Sequence, residues 1–219
     1  MVSVYLLKTP HEKSGLMKNI AENINKNLQK RALLSKNEKS REEKLVAYYL
    51  LEYALRHFGY GGDISLENDA YGKPFISGAD VRISLSHTNG LLVAAISDGK
   101  EVGVDAEKIT EDESSVKRAV ERFLPSFDPV TKEISDLEIY EATILKDGKI
   151  SFSKIEEESS KTAFCTRKWT AAEALLKCDG RGFAALSSIA EINGKAALYS
   201  LEYEKKNEKY SISIAEEIV

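Results

Sequence analysis

The spacing of apolar residues divides this chain of 219 residues into helices and strands that alternate along its length. Apolar side chains at three- and four-residue steps from Arg41 to Phe58 predict the clearest helix, and glycines at 59, 61 and 62 end it. Residues 15–34 show the same helical spacing with polar interruptions. Residues 2–7 are mainly apolar and predict a short strand.

Three short segments between residues 81 and 107 predict an antiparallel meander. Residues 81–85 alternate between apolar and polar side chains, which is typical of a half-buried strand, and a turn signal follows at 86–90. Residues 91–97 are almost wholly apolar, Asp98-Gly99 turns the chain, and 101–107 returns as a third strand. We therefore expect these strands to pair in sequence order.

The second part of the chain shows the same order of elements. Helical spacing predicts helices at Ser114–Phe123 and from about Thr162 to Lys177, and Asp147-Gly148 is the turn of a hairpin within 137–155. A closing sheet is expected from residues 189–192, 196–203 and 209–214. Strand, helix and hairpin sheet thus occur twice without a repeat in sequence, so we expect an α+β fold with two similar halves.

The composition is that of a soluble globular protein, with 42% hydrophobic and 30% charged residues. Cys165 and Cys178 form neither a disulfide framework nor a known metal-binding spacing, which favours a reducing compartment. No apolar run reaches membrane-spanning length, and the first residues lack the features of a signal peptide. We therefore expect a cytoplasmic protein without a membrane partner.

Charge is distributed unevenly along the chain. The net charge of −4 gives no argument for bulk nucleic-acid binding, and we expect no nucleic-acid partner. The segment from Lys8 to Lys44 contains ten Lys or Arg against five Glu. Such a basic segment can bind a small polyanion, although a solvated helix face is the commoner explanation.

Two carboxylates, Asp105 and Glu107, lie two residues apart in the third predicted strand. Side chains at this spacing point to one face, so Val102, Val104 and Ala106 would face the core. Like charges held side by side are costly unless a cation lies between them, and two hard oxygen donors suit Mg²⁺. A solvated strand edge with ordinary charges is the alternative interpretation.

Two further groups of residues lie at the ends of predicted elements. Glu173 and Lys177 are four residues apart on one face of a helix, where a surface ion pair is the ordinary explanation. The turn signal beginning with Ser86-His87, together with Gly72-Lys73-Pro74, places a cation and an imidazole near backbone donors that can bind phosphate. A lone histidine at a turn is more often incidental.

Taken together and in this order, these motifs resemble the 4′-phosphopantetheinyl transferase family, in its larger single-chain branch that activates peptide and polyketide synthetases. The similarity covers about residues 41–190. The matching segments are Gly72-Lys73-Pro74, Ile83-Ser84-Leu85-Ser86-His87, Gly103-Val104-Asp105-Ala106-Glu107-Lys108, Arg122-Phe123 and Trp169-Thr170-x-x-Glu173-Ala174-x-x-Lys177-x-x-Gly180-x-Gly182-Phe183. The third and the last are specific, because identity, spacing and order all agree.

The resemblance implies a pseudo-dimeric fold with halves at residues 1–108 and 109–219, each a small antiparallel sheet packed by a long helix. It implies Mg²⁺-dependent transfer of the 4′-phosphopantetheine group of coenzyme A to a serine of an apo acyl or peptidyl carrier protein, with release of adenosine 3′,5′-bisphosphate. A monomer is implied, because both halves lie on one chain. The acceptor carrier is not identified by the sequence.

The resemblance also assigns roles to residues. Asp105, Glu107 and Glu173 would hold Mg²⁺. Glu173 would accept the serine proton, directly or through water, and Lys177 would neutralise or protonate the leaving phosphate. Coenzyme A would be bound by Lys44, Arg41, Lys73, Pro74, Ser86 and His87.

The chain departs from the family pattern at two places. Ala172 stands where the family usually has a lysine before the glutamate, so a cationic contact to the coenzyme or to an active-site water is expected to be missing. The hairpin within 137–155 makes the stretch between Phe123 and Trp169 longer than in compact members. That hairpin would alter acceptor preference, or it is a surface insertion without a role in binding.

Two other functions stay open from the sequence. One is a non-catalytic relative that binds coenzyme A or a carrier protein but has lost the transfer activity, for which Ala172 is the only support. The other is an unrelated Mg²⁺-dependent hydrolase that uses the acidic pair. Such a hydrolase would not need the Gly72-Lys73-Pro74 and Ser86-His87 motifs.

Overall fold

A computed structural model describes residues 1–9, 14–110, 112, 114–155 and 164–218. The strands are β1 (Val2–Lys8), β2 (Leu66–Asn68), β3 (Pro74–Ile76), β4 (Val81–Thr88), β5 (Leu91–Asp98), β6 (Val102–Lys108), β7 (Leu137–Ile144), β8 (Ile150–Lys154), β9 (Ala196–Lys205) and β10 (Glu208–Glu217). The α-helices are α1 (Ser14–Asn23), α2 (Lys26–Leu33), α3 (Glu38–Phe58), α4 (Ser114–Phe123), α5 (Phe164–Asp179) and α6 (Ile189–Asn193). Short 3₁₀ segments cover Ile134–Asp136 and Gly182–Ser188.

Two sheets packed face to face form the centre of the molecule. The larger sheet has the order β4-β5-β1-β7-β8, in which only β1 and β7 run parallel, and the smaller has the order β6-β10-β9. Alternate residues of β1, β5, β6 and β10 fill the apolar layer between the sheets. Helices α1, α2 and α3 cover the outer face of the larger sheet, and α5 covers the smaller one.

The α+β class is confirmed by this arrangement of helices and sheets. Each sheet has one long helix against it, but the larger sheet is mixed rather than purely antiparallel. Both sheets also combine strands from the two predicted halves, 1–108 and 109–219. The similarity of those halves to each other stays a prediction.

The predicted three-stranded meander is wrong in its last pairing. β4 and β5 pair antiparallel as expected, but β6 pairs with β10 in the other sheet. This pairing lets Val102, Val104 and Ala106 close the apolar layer between the sheets, as the alternation along β6 predicted. β6 still runs beside β4, through side-chain hydrogen bonds described below.

Several predicted boundaries change. The helical segment 15–34 is two helices: α1 ends at Asn23, and Asn25 caps α2 by accepting from the N–H groups of Asn27 and Leu28. β4 continues through Thr88, so the turn begins only at Asn89. Residues 189–192 belong to helix α6 rather than to a strand. The predicted start of α5 at Thr162 lies outside the described residues.

The predicted end of α3 and the predicted hairpin are confirmed. The α3 helix ends at Gly59, whose φ of 100° provides the left-handed cap. The hairpin of β7 and β8 forms within 137–155, with α4 preceding it. Cys165 and Cys178 are both free thiols. In the described part of the chain, no helix combines the length and apolar character needed to cross a membrane.

A cluster of ionic and hydrogen bonds joins the two sheets at one end. Glu208 at the start of β10 accepts from the ammonium groups of Lys8 and Lys108, at the ends of β1 and β6. Tyr210 donates to the carbonyl of Asn89 at 3.1 Å and has the Lys8 ammonium over its ring. Three strands and the β4–β5 turn therefore meet around this carboxylate.

Helix α5 lies unusually close to β6 at Gly103. A methyl group on Gly103 would come within 2.0 Å of the Ala174 carbonyl oxygen and 2.4 Å of the Cys178 nitrogen. Both contacts are with main-chain atoms of α5, which no rotamer change can relieve. Glycine at this position therefore sets the distance between helix and strand.

We predict that Gly103→Ala lowers the free energy of unfolding by more than about 3 kcal/mol, because α5 must move away from β6. Urea denaturation measures the change. Gly61→Ala is the control, since Gly61 has nothing within 4 Å of an added methyl, and it should change stability by less than about 0.5 kcal/mol. Equal effects of the two substitutions would contradict the close approach.

We also predict that Glu208 makes the protein more sensitive to acid. The bonds from Lys108 and Lys8 lower the pKa of Glu208 from its ordinary 4.5 to about 2. Since the folded protein favours the charged form, this stabilisation is complete above about pH 4.5 and is lost as the pH falls towards 2. Glu208→Gln should therefore flatten the decline in urea midpoint over this range.

The control for that experiment is Glu204→Gln. Glu204 belongs to an exposed pair with Lys209, at 3.5 Å between Nζ and Oε2. Its removal should leave the acid dependence of the midpoint unchanged. A Glu208→Gln protein that declines as steeply as the Glu204→Gln protein would refute the role of Glu208.

Candidate functional site

Strand β4 presents a row of hydroxyl side chains to the free edge of β6. Ser84, Ser86 and Thr88 alternate along β4 and share one face, and we refer to them as the hydroxyl row. Each accepts a hydrogen bond from a backbone N–H of β6. The distances are 3.0 Å from Val104 N to Ser84, 3.2 Å from Ala106 N to Ser86, and 3.3 Å from Lys108 N to Thr88. The hydroxyls thus replace the carbonyl groups of a neighbouring strand.

Asp105 lies at the centre of the site and is buried, with 4% of its surface exposed. Its Oδ1 accepts a hydrogen bond from the Ser86 hydroxyl at 2.9 Å and an ion-pair bond from the Lys177 ammonium at 2.6 Å. Its Oδ2 is also buried but has no hydrogen-bond partner among the described residues. An unpartnered buried oxygen of this kind is costly unless a further ligand satisfies it.

Glu107 lies on the same face of β6, as the two-residue spacing predicted. Its Oε2 accepts a hydrogen bond from the Thr88 hydroxyl at 3.1 Å. Burial raises the pKa of Glu107, and the charge of Asp105 raises it further, whereas the bond from Thr88 lowers it. Glu107 is therefore close enough to Asp105 for the two charges to repel each other.

Glu173 on α5 approaches the same two carboxylates from the other side. Burial raises the pKa of Glu173, and the negative charge of Asp105 adds to this effect, with a smaller contribution from Glu107. The charge of Lys177 acts in the opposite direction. The charged residues of the helix motif and of the strand motif, which are 72 residues apart at Lys177 and Asp105, therefore interact with one another.

Lys177 connects the three elements of the site. Besides its bond to Asp105, its ammonium donates to the Val104 carbonyl at 3.1 Å and lies 3.4 Å from the Ser86 hydroxyl. The ordinary explanation, a surface bridge between Glu173 and Lys177 along one helix, is wrong for Lys177, because its ion pair crosses to β6. Because α5 packs closely against Gly103, the Lys177 ammonium lies within bonding distance of Asp105.

The donor set fits a hard divalent cation by its chemistry. Carboxylate oxygens are the ligands that Mg²⁺ prefers, and the unpartnered Oδ2 of Asp105 is an atom that a cation would satisfy. In the part of the chain that the structure describes, however, no three His, Cys, Asp or Glu side chains form a ready cluster for a metal ion. Glu107 and Glu173 would have to move towards Asp105 to complete one.

A cleft of about 210 Å³ opens beside Lys177. The turn at Gly72-Lys73-Pro74 forms one side of it, and Lys177 with the glycines at 180 and 182 forms another. A second cleft, of about 650 Å³, shares Lys73, Pro74 and Gly180 with the first. An elongated ligand can therefore lie along both and reach Lys177.

The predicted coenzyme-binding residues are dispersed more widely. Lys73 has its ammonium 2.5 Å from Glu101 and 2.8 Å from the Cys178 carbonyl, so an anion must compete with Glu101 for it. Pro74 begins β3 and lines both clefts. Ser86 is buried and already bound to Asp105.

The remaining three residues predicted to bind the coenzyme are exposed. His87 lies on the face of β4 opposite to Ser86, and its charge acts on Glu107. Lys44 and Arg41 lie in the first turns of α3, where Arg41 donates to the Ser35 carbonyl at 2.8 Å. No hydrogen bond or ion pair in the described residues joins either of them to His87 or Lys73.

Position 172 faces away from the carboxylates. Ala172 is 2% exposed and lies in the apolar cluster that α5 forms with α4. A lysine side chain at this point would start from a buried packing position. The expected loss of a cationic contact at position 172 stays a prediction.

Sequence reasoning missed some residues that build the site. The sequence predicts a turn at Thr88, and it gives Ser84 and Gly103 no separate role within their motifs. Thr170 on α5 was likewise missed; its hydroxyl lies 2.9 Å from Ser213 and 3.2 Å from Ser211, beneath the helix. The alternate hydroxyl residues of Ser-Leu-Ser-His-Thr were the available signal, once read as a strand.

Comparison with known proteins adds nothing to these contacts: no protein-family model and no curated protein matches the chain.

We predict that the Asp105–Lys177 pair stabilises the fold more than surface pairs do. Asp105 has 6% of its side chain exposed and Lys177 has 32%. A double-mutant cycle with Asp105→Asn and Lys177→Met should give a coupling of about 1–2 kcal/mol in urea denaturation, since Lys177 is partly screened by solvent.

The matched control is the Glu191–Lys195 pair, in which both side chains are about two-thirds exposed. The corresponding cycle with Glu191→Gln and Lys195→Met should give less than about 0.5 kcal/mol. A coupling for Asp105 and Lys177 as small as this would mean that the pair is a surface contact without structural importance.

Proposed function

We propose that this protein transfers the 4′-phosphopantetheine group of coenzyme A to a serine of an apo acyl or peptidyl carrier protein. The observation that carries the proposal is the 2.6 Å contact between the Lys177 ammonium and Asp105 Oδ1. It joins the two most specific motifs of the family resemblance, which lie on different elements. Two motifs that only happened to match would have no reason to meet in space.

The proposed reaction needs a base for the serine proton, and Glu173 suits this role. A carboxylate whose pKa is raised by burial, as that of Glu173 is, is a stronger base than an exposed one. The serine oxygen attacks the β-phosphorus of the coenzyme pyrophosphate as its proton passes to Glu173. The bond from that phosphorus to the oxygen of the leaving nucleotide breaks, and adenosine 3′,5′-bisphosphate departs.

Lys177 is positioned to act on the leaving phosphate. Lys177 lines the cleft, and its ammonium contacts Asp105, so this charge would neutralise the one that develops on the departing oxygen. His87, Lys73, Lys44 and Arg41 would bind the 3′-phosphate and adenosine part of coenzyme A. Lys73 takes part only if the ligand phosphate replaces Glu101 as its partner.

A divalent cation would be held by Asp105, together with Glu107 and Glu173. When bound, Mg²⁺ neutralises pyrophosphate charge and polarises its phosphorus–oxygen bonds. The unpartnered Asp105 Oδ2 and the mutual repulsion of the three carboxylates support this assignment. Because both groups of motifs belong to one chain, the proposed site needs no second subunit, which supports a monomer.

A second candidate is a relative that binds coenzyme A or a carrier protein without transferring the group. The observation that favours it is that Lys177 already supplies a positive charge at Asp105, while no ready cluster for a metal exists among the described residues. Both candidates bind coenzyme A. Only the first increases the mass of a carrier protein.

We predict that the protein adds one phosphopantetheine group to at least one of a panel of apo carrier proteins in the presence of coenzyme A and Mg²⁺, as intact mass measures. Asp105→Asn and Glu173→Gln should lower the rate by at least about 100-fold, since each removes a group acting on the reacting atoms. Glu191→Gln, at an exposed carboxylate on α6, should keep the wild-type rate.

One result would contradict this function, and a second would contradict only the role of Asp105. One is the absence of any mass gain on all carriers by folded wild-type protein that binds coenzyme A, which favours the binding relative. The other is an unchanged rate in Asp105→Asn protein. That second result would keep the transferase activity but remove Asp105 from the site.

A further inference from the structure

The hydroxyl row has a second set of contacts besides its bonds to the backbone of β6. A hydroxyl group can accept hydrogen bonds through its lone pairs and donate one through its hydrogen. Ser86 accepts from Ala106 N and donates to Asp105. Thr88 accepts from Lys108 N and donates to Glu107.

These contacts follow a repeating rule. Each hydroxyl accepts from the N–H of one β6 residue and lies beside the side chain of the residue before it. At Ser84 the second contact is missing, because the residue before Val104 is Gly103, which has no side chain. Ser84 therefore accepts from Val104 N at 3.0 Å and has no carboxylate beside it. Ser84 therefore serves as an internal control: it accepts from a backbone N–H, as Ser86 and Thr88 do, but it does not donate to a carboxylate.

The bond from Ser86 also determines which oxygen of Asp105 stays available. Ser86 and Lys177 both bind Oδ1, at 2.9 and 2.6 Å, and Oδ2 has no partner in the described residues. Two donors at one oxygen favour a single orientation of the carboxylate. The other oxygen is then left for a ligand of opposite charge.

We propose that Ser86 and Thr88 are positioning residues, whose hydroxyl hydrogens orient Asp105 and Glu107 to bind a divalent cation. This rests on the proposed function and moves Ser86 from the coenzyme-binding group, to which the family resemblance assigned it, to the support of the carboxylates. The hydroxyl row thus has two functions. It satisfies the open edge of β6 at three positions and orients a metal ligand at two of them.

The test measures Mn²⁺ binding by titration calorimetry on the free protein, without coenzyme or carrier. Ser86→Ala and Thr88→Val each remove the donor to a carboxylate and the acceptor for an N–H. We expect a 10- to 100-fold weaker Mn²⁺ affinity for both, the range typical of lost bonds to metal ligands. Thr88→Ser restores the hydroxyl and should return the affinity to within about 3-fold of wild type.

The matched control is Ser84→Ala, which removes only an acceptor for an N–H. It should lower the urea midpoint by no more than Ser86→Ala does and leave the Mn²⁺ affinity within about 2-fold of wild type. The difference between the two variants therefore isolates the bond to Asp105. Circular dichroism of each variant establishes that it is folded before titration.

The outcomes separate this inference from the proposed function. Wild-type protein that binds Mn²⁺, with Ser86→Ala and Thr88→Val no weaker than Ser84→Ala, would refute the positioning role and leave the metal site intact. Wild-type protein that binds no Mn²⁺ in the millimolar range would overturn both the positioning role and the metal assignment. Weakening in Ser86→Ala and Thr88→Val alone, with rescue by Thr88→Ser, supports the proposal.

Discussion

The contact of helix α5 with Gly103 is the constraint on which the rest of the site depends. Main-chain atoms of Ala174 and Cys178 occupy the space that any side chain at position 103 would need. This close approach places α5 over β6, so that Lys177 contacts Asp105. The charge of Asp105 also raises the pKa of Glu173 on the same helix. A larger residue at 103 would separate two motifs that depend on contact.

The negative charges of the site are only partly neutralised by the residues around them. Three carboxylates, Asp105, Glu107 and Glu173, lie close enough for their charges to repel. The charge of Asp105 raises the pKa of both glutamates, and that of Lys177 lowers the pKa of both. Burying such a group costs free energy, because desolvation is only partly offset by one ammonium and two hydroxyl donors. Sites that bind charged ligands commonly retain such an imbalance, since the ligand supplies the missing charge.

Local patterns could be predicted well where one side of an element faces the core. The alternation of Val102, Val104 and Ala106 gave the correct inner face of β6 and therefore the common face of Asp105 and Glu107. The pairing of β6 with β10 could not be predicted, because alternation states which face is buried but not which strand lies alongside. Thr88 was misplaced for a related reason, since a polar strand end resembles a turn.

Sequence alone was enough to predict the α+β class, the end of α3 at Gly59, the hairpin turn at Asp147-Gly148 and the residues from which a site could be built. These depend on short-range preferences of a few neighbouring residues. Three contacts became known only from the folded chain: Lys177 pairs with Asp105 rather than along its own helix, Lys73 binds Glu101, and Ser86 donates to a carboxylate. Such choices depend on distances between segments far apart in the chain, which the packing of two sheets and α5 sets.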